Sequence, residues 1–501
     1  MCGILFSNDL TISLDNFRRA LSLMKHRGPD YSKCSIINKF KLGHNRLAIQ
    51  DLKKRSNQPF KIGNYHIIFN GEIYNFKDLK SQENFITRTS SDTEILLLLY
   101  IKYGKDCLKK LNGMFSFIIF NEKTKKFFVA RDRLGIKPLY YWIDKKNFIF
   151  SSEIAPILYL KNNSLDQMGL RQYKKLRMCL GQQTLYKNIK MFPAGSYMTE
   201  NKFINSYWKL DLSKKKNPSL DHVKFLIEDS VKIRNISDVP VGTFLSGGLD
   251  STIITNLTKP KYSWTIGFKE LNEFNWSDLA NRNIKSIHKK LMIDNVEFLK
   301  TAKKIIQIRK EPLCVPNEVM IYKMSKKMKK YNTVVLSGEG ADELFFGYDR
   351  IFKFYKSRKI ISIKDFDRLY CYGSNNDEEL ISDVISKLPG KKAIDKITYF
   401  MQIHHLHGLL RRLDNSTMLA SVEGRVPFVD HRLVDLITGT SFSWKINLQS
   451  KMPLRKIFNT IIPKKIILRE KIGFPTPLNN IFKTKNNPYD YWLKFNLNNL
   501  K

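Results

Sequence analysis

The chain has 501 residues, enough for two or more domains with sizeable cores, and its 43% hydrophobic content supports a globular protein. A formal net charge of +40 has the size expected of a nucleic-acid binder, but lysine greatly outnumbers arginine and is spread along the whole chain, as an AT-rich coding sequence would give; a dedicated nucleic-acid function is therefore disfavoured, and only weak, salt-sensitive adhesion to polyanions is expected. No stretch of about 18 apolar residues argues for a membrane span and no basic segment with an apolar core argues for a signal peptide, while Cys2, Cys34, Cys107, Cys179, Cys314 and Cys371 lack zinc or disulfide spacing, which fits a reducing cytoplasm.

Cysteine stands second in the chain. With Met1 removed, Cys2 would carry a thiol nucleophile beside a free α-amine of pKa near ~8, able to act as its own general base. Three further clusters follow: His26 to Asp30, Gly43 to Leu47 with Arg46, and Phe69 to Asn75 with Asn70, Gly71 and Glu72; Ser91-Asp92-Thr93-Glu94 completes the set. The pattern between them is mostly β, with short apolar runs at Tyr65 to Phe69, Met114 to Phe120 and Phe127 to Ala130. Asn70-Gly71 after such a run is a hairpin-turn signal, and a tight turn there would also expose a backbone N–H to a substrate. Ile95 to Ile101, after an acidic first turn, predicts a helix. Taken singly, Arg46 and Asp92 read as surface charges. Arg131 to Tyr141 carries polar residues that suit bracing between domains and no catalytic role. The pattern loosens near Pro193-Ala194-Gly195, and Ser213 to Pro218 reads as a solvated linker. The expected division is 2–190, a connection at 191–218, and a second domain at 219–501.

The second half opens with a helix-like segment, Leu220 to Val231. Pro240 to Leu245 then reads as a buried strand running into Ser246-Gly247-Gly248-Leu249-Asp250-Ser251, with a helix starting at Thr252. Strand, glycine loop and helix start is the arrangement in which backbone N–H groups converge on an anion. The loop lacks the Gly-Lys-Ser/Thr ending of a Walker A motif, which disfavours γ-phosphate transfer. Thr333 to Leu336 repeats the pattern, followed by Ser337-Gly338-Glu339-Gly340-Ala341-Asp342-Glu343. Two strand ends that each present small residues and acids predict a crevice at the carboxyl edge of a parallel sheet; the duller reading of Glu339 and Asp342 is an acidic helix cap.

The first set of motifs, in order, resembles the glutaminase domain of class II glutamine amidotransferases, and Ser-Gly-Gly-x-Asp-Ser resembles the pyrophosphate loop of ATP pyrophosphatases. With Asp414-Asn415-Ser416, Val422 to Phe428 and Ser450 to Lys456, nearly the whole chain resembles the asparagine synthetase family. The resemblance implies an α+β glutaminase domain of the Ntn-hydrolase type, antiparallel sheets with flanking helices, followed by an α/β parallel-sheet ATP-pyrophosphatase domain. It implies that Cys2 attacks glutamine, that Asn70 and the Gly71 N–H form the oxyanion hole, that Arg46 holds the glutamine α-carboxylate, and that Asp92 and Glu72 neutralise its α-ammonium. It further implies that Ser246, Gly247, Gly248, Asp250, Ser251, Ser337 and Gly338 hold ATP, with Leu245 and Ile266 near the adenine. Asp250 and Asp342 would carry Mg²⁺, Glu339 would act near the acyl-adenylate, and Lys451 would neutralise phosphate charge as the bond breaks. Ammonia would pass between the sites to the activated carbonyl. A homodimer is compatible with the family, and no nucleic-acid or membrane partner is implied.

Lys269 to Val296, with Ser286-Ile287-His288-Lys289-Lys290, keeps little of the family's acidic pattern, and Glu311 to Asn317 matches in part. These segments lie near the acceptor in the family. Aspartate is thus the leading acceptor, with a surface-polymer uronic acid or a peptide carboxylate as the alternative. A basic binding protein on a decayed scaffold is disfavoured by the intact Cys2, Ser246 to Ser251, Glu339 and Lys451.

Overall fold

In the computed structural model, which describes residues 2–372, 374–474 and 476–500, three sheets organise the chain. The first is antiparallel and six-stranded, in spatial order Ile189–Met191, Tyr140–Ile143, Phe148–Ser151, Gly3–Ser7, Phe40–Arg46 and Tyr31–Ile37. The second, also antiparallel and six-stranded, runs Ile204–Ser206, Ser196–Thr199, Phe127–Arg131, Gly113–Asn121, Tyr65–Ile73 and Phe60–Ile62. Side chains alternate across a strand, and the inner strands Gly3–Ser7, Gly113–Asn121 and Phe127–Arg131 are buried on both faces. Ile4 and Phe6 of the first sheet meet Ile68, Ile118 and Phe120 of the second in a shared core, where the Phe6 and Phe40 rings stack with centroids 5.9 Å apart. The intervening residues point outward onto helices. Leu5 and Ile149 pack with Phe17, Leu21 and Ile157 of helices Leu14–Ser22 and Ile154–Leu160; Ile67, Phe69 and Phe117 pack with Ile95, Leu96 and Leu99 of helix Asp92–Tyr103. The result is the expected pair of antiparallel sheets flanked by helices.

One local expectation changes. Asn70-Gly71 does not turn the chain: both lie inside strand Tyr65–Ile73, opposite Ser116 and Phe115. The long pairing with Gly113–Asn121 overrides the local turn propensity. Glycine is still required there, because a Cβ at Gly71 would overlap the Met114 carbonyl oxygen. Within 191–218, strands Ser196–Thr199 and Ile204–Ser206 complete the second sheet.

The third sheet has five parallel strands in the order Ile287–Met292, Tyr262–Gly267, Val241–Phe244, Val334–Leu336 and Glu423–Arg425. Helices cover it, as parallel sheets require. Chain direction across the sheet reverses between Val241–Phe244 and Val334–Leu336, and a crevice opens outside the carboxyl ends of strands at such a switch. Both acid-bearing loops leave from those two strands. Helix Leu249–Thr258 begins three residues before Thr252, which puts Asp250 in its first turn. Among the described residues, no helix is long and apolar enough to cross a membrane.

The halves are joined by buried charge. Arg27, with no exposed side-chain surface, donates through Nε to the Cys2 carbonyl (3.1 Å), through Nη1 to Glu153 (3.1 Å) and through Nη2 to Asp414 (2.9 Å). Lys137 Nζ lies 3.3 Å from the other oxygen of Asp414, and Arg131 meets His407 Nε2 at 2.9 Å. The segment Arg131 to Tyr141 therefore braces the two halves against each other.

Candidate active sites

Pairing of Gly3 with Asn45 places Cys2 at the end of a central strand, beside Arg46. The Cys2 N–H donates to Asn70 Oδ1 at 3.1 Å, which leaves the buried Asn70 Nδ2 without a hydrogen-bond partner. An amide donor held in place and left open is what a developing oxyanion needs. Burial pushes the Cys2 thiol up, with a Leu47 backbone hydrogen bond and the Arg46 charge opposing. Met1, whose removal would free the Cys2 amine, lies outside the described residues.

A pocket of about 30 Å³ is lined by Cys2, Arg46, Gly71, Glu72, Asp92 and Glu423, among others. Glu72 and Asp92 come from a strand and a helix that share one core, and Asp92 accepts from the Ile73 N–H at 2.9 Å. Burial and the neighbouring Asp92 hold the Glu72 carboxyl well above the usual range, while burial pushes Asp92 up to about 6. Glu72 also accepts from Gln50 Nε2 and, at 3.1 Å, from Arg425 Nη2. A cluster of carboxylates short of hydration favours a cation such as an α-ammonium. Arg46 lines the pocket but is spent on the 50–57 loop: it donates to the carbonyls of Lys53, Gln50 and Asp51 and to Asn57 Oδ1 at 2.7 Å.

In the second half, Gly247 has φ +77°, and a Cβ there would overlap the Trp276 backbone. Ser246 and Ser251 close the loop through their hydroxyls, 3.1 Å apart, and the Gly248 N–H donates to Ser246 Oγ at 3.2 Å. Lys451 Nζ lies 2.6 Å from Asp250 Oδ2 and 2.5 Å from Asp342 Oδ1, and Lys471 Nζ is 2.6 Å from Asp342 Oδ2. The two lysines hold Asp342 well below the usual carboxylate range, while burial, with the neighbouring Asp342, outweighs the lysines at Asp250 and raises it. Glu343 is pushed up to about 8 by burial and by Asp342. A Cβ on Gly347 would overlap both Asp342 Oδ1 and Lys451 Cε, so the cluster depends on glycine there.

This cluster lines a cavity of about 610 Å³ with Ser246, Gly248, Ser251, Ser337, Gly338 and Glu339. Glu339 is paired there with Arg412 Nη2. Leu245 and Ile266 are buried core residues, and neither they nor Gly247 line the cavity. Sequence reasoning assigned no role to Gln50, Arg177, Tyr348, His405, Arg412 and Lys471, which stand at one site or the other. Glu423 and Arg425 fall within a recognised motif, Val422 to Phe428, whose proximity to Cys2 a linear sequence does not display. Two carboxylates from facing loops suit Mg²⁺ shared with phosphate oxygens. Asp250 Oδ1 is buried without a hydrogen-bond partner, and among the described residues no group of three or more His, Cys, Asp or Glu forms an all-protein cage.

A buried thiol at position 2 in a helix-flanked pair of antiparallel sheets, on one chain with a Ser-Gly-Gly loop at the crevice of a parallel sheet, is the build of a two-site amidotransferase. Residues 1–208 match the glutamine amidotransferase domain family, and residues 222–499 match asparagine synthase. The chain belongs to the asparagine synthase family. It is 34% identical to putative asparagine synthetase [glutamine-hydrolyzing] 2 of Methanocaldococcus jannaschii, with 79% of this chain and 82% of that protein covered. It is 31% identical to asparagine synthetase [glutamine-hydrolyzing] 3 of Bacillus subtilis, over 95% of this chain and 87% of the relative, and 30% identical to asparagine synthetase [glutamine-hydrolyzing] 1 of the same organism, over 93% and 84%.

Proposed function

We propose that the chain is a glutamine-dependent asparagine synthetase acting in the cytoplasm, with a glutaminase unit at 2–190, a connection at 191–218 and a synthetase unit at 219–501. Cys2 attacks the glutamine side-chain amide, and Asn70 Nδ2 with the Gly71 N–H receives the oxyanion. Glu72 and Asp92 hold the α-ammonium, and Arg46 takes the α-carboxylate by exchanging main-chain carbonyls for it. At the second site the loop Ser246 to Ser251, with Ser337 and Gly338, binds ATP, and Lys451 meets the charge that builds on the phosphates as aspartate is adenylated. Leu245 and Ile266 back the adenine side from the buried core. Glu339, positioned by Arg412, lies beside the acyl group. Mg²⁺ held by Asp250 and Asp342 would offset phosphate charge. Ammonia from the first site then displaces AMP, giving asparagine, AMP and pyrophosphate.

The observation that carries this reading is the open Asn70 amide beside Cys2 on the same chain as the Asp250, Asp342 and Lys451 cluster. One observation favours a larger carboxylate as acceptor: the cavity continues into a second chamber of about 590 Å³. The test is pyrophosphate release and asparagine formation from ATP, Mg²⁺ and glutamine, with and without aspartate. Cys2→Ala should abolish glutamine-dependent synthesis and spare synthesis from ammonium. Loss of both with the fold intact would refute the division of labour, and glutaminase activity without aspartate-dependent pyrophosphate would favour the larger acceptor.

A further inference from the structure

Arg177 stands in the synthetase cavity without a role in the chemistry described above. It ends helix Gln167–Leu176 in the left-handed conformation, φ 65°, where glycine is ordinarily favoured. That helix end carries the arginine to the carboxyl edge of the parallel sheet, where it lines both chambers of the cavity. It is 7% exposed, its guanidinium lies 3.5 Å from the centre of the Tyr372 ring and 5.7 Å from that of Tyr370, whose hydroxyl it also meets, and its Nε has no hydrogen-bond partner. Ring faces replace only part of the hydration that a buried cation gives up.

Every other cation lining the main chamber is engaged. Arg412 pairs with Glu339, Lys451 with Asp250 and Asp342, Lys471 with Asp342 and Arg469 with Glu273, while Arg455 donates to the Ser450 and Ile467 carbonyls. Among the described residues, no carboxylate pairs with Arg177. His405 cannot substitute for it, since burial and the charges of Arg177 and Arg412 push its imidazole down to about 3 and keep it neutral. Among the described residues the chamber therefore holds one buried guanidinium with no anion, and a planar guanidinium is suited to a carboxylate.

We propose that Arg177 is a specificity-determining residue that binds the non-reacting carboxylate of a dicarboxylic acceptor and leaves the other carboxyl free for adenylation. The inference rests on the synthetase reading, in which that group is the α-carboxylate of aspartate. β-Alanine is the matched probe, because it keeps the amine and the reacting carboxyl of aspartate and lacks only the α-carboxylate.

The experiment measures pyrophosphate release by the full chain with ATP, Mg²⁺ and ammonium, with aspartate or β-alanine as acceptor, for wild type, Arg177→Gln and Arg177→Lys. The wild type should prefer aspartate by about 100-fold or more in kcat/KM, and Arg177→Gln should cut that preference to about 10-fold or less while the ATP KM and the β-alanine rate move by no more than about twofold. Arg177→Lys should recover part of the preference. A merely structural role would lower both acceptors equally. An Arg177→Gln enzyme that keeps the wild-type preference overturns this inference and leaves the synthetase reading standing. A wild-type protein with glutaminase activity and no aspartate-dependent pyrophosphate overturns the synthetase reading itself.

Discussion

Gly347→Ala is the smallest change that should separate the two activities. The added Cβ would overlap Asp342 Oδ1 on one side and Lys451 Cε on the other, and these are the two partners of an ion pair 2.5 Å long. The backbone at Gly347 is not left-handed, so the penalty is steric alone. Restoring ordinary contact requires Asp342 or Lys451 to move by about 1 Å or more. Overpacking of this kind costs about 1–3 kcal/mol of stability, and a displacement of about 1 Å in a positioned group costs about 100-fold in rate. Aspartate-dependent pyrophosphate release should therefore fall about 100-fold, whether ammonium or glutamine supplies the nitrogen. Glutamine hydrolysis without acceptor should stay within about twofold of wild type, because Cys2 and Asn70 belong to the other pair of sheets, and this doubles as the control for folding. A Gly347→Ala protein with the wild-type ATP KM and turnover would refute the argument that the Asp342 and Lys451 geometry carries the chemistry.

Three further outcomes are expected. Asp92 titrates near 6 because of burial, and its ionised form is the one that holds an ammonium; kcat/KM for glutamine should therefore rise as pH increases through about 6 in the wild type, and a pH series on Asp92→Asn should lose that rise. The stability sign is opposite: the folded state holds a proton that the unfolded chain releases near about 4, so Asp92 costs stability that grows as pH rises from about 4 to about 6, and the melting temperature of Asp92→Asn should gain on wild type across that window and converge below it. Arg27→Met would leave Glu153 and Asp414 buried without their shared partner; urea denaturation should show a loss of about 3 kcal/mol or more, and a loss under about 1 kcal/mol would mean that the junction is not held by this charge network.

The sequence by itself determined what is encoded locally. Val241 to Phe244 is a half-buried strand running into small residues and a helix, so the anion-type loop at Ser246 to Ser251 could be read from about twenty consecutive residues. The acidic first turn of Asp92–Tyr103 and the order of the motifs around Cys2 were legible in the same way. Tertiary structure decided whatever depends on which distant segments meet. Asn70-Gly71 has the local chemistry of a turn, yet it lies flat in a strand because nine successive residue pairs with Gly113–Asn121 outweigh that preference. Arg425 contacts Glu72 across 353 positions, and Arg27 contacts Asp414 across 387. Neither pair leaves a periodic trace, because contacts between separately folding elements depend on how those elements pack and not on any spacing within one of them. Arg177 shows the limit most plainly: in the sequence it is one of many basic residues, and only its burial without an anion, among cations that all have partners, marks it out.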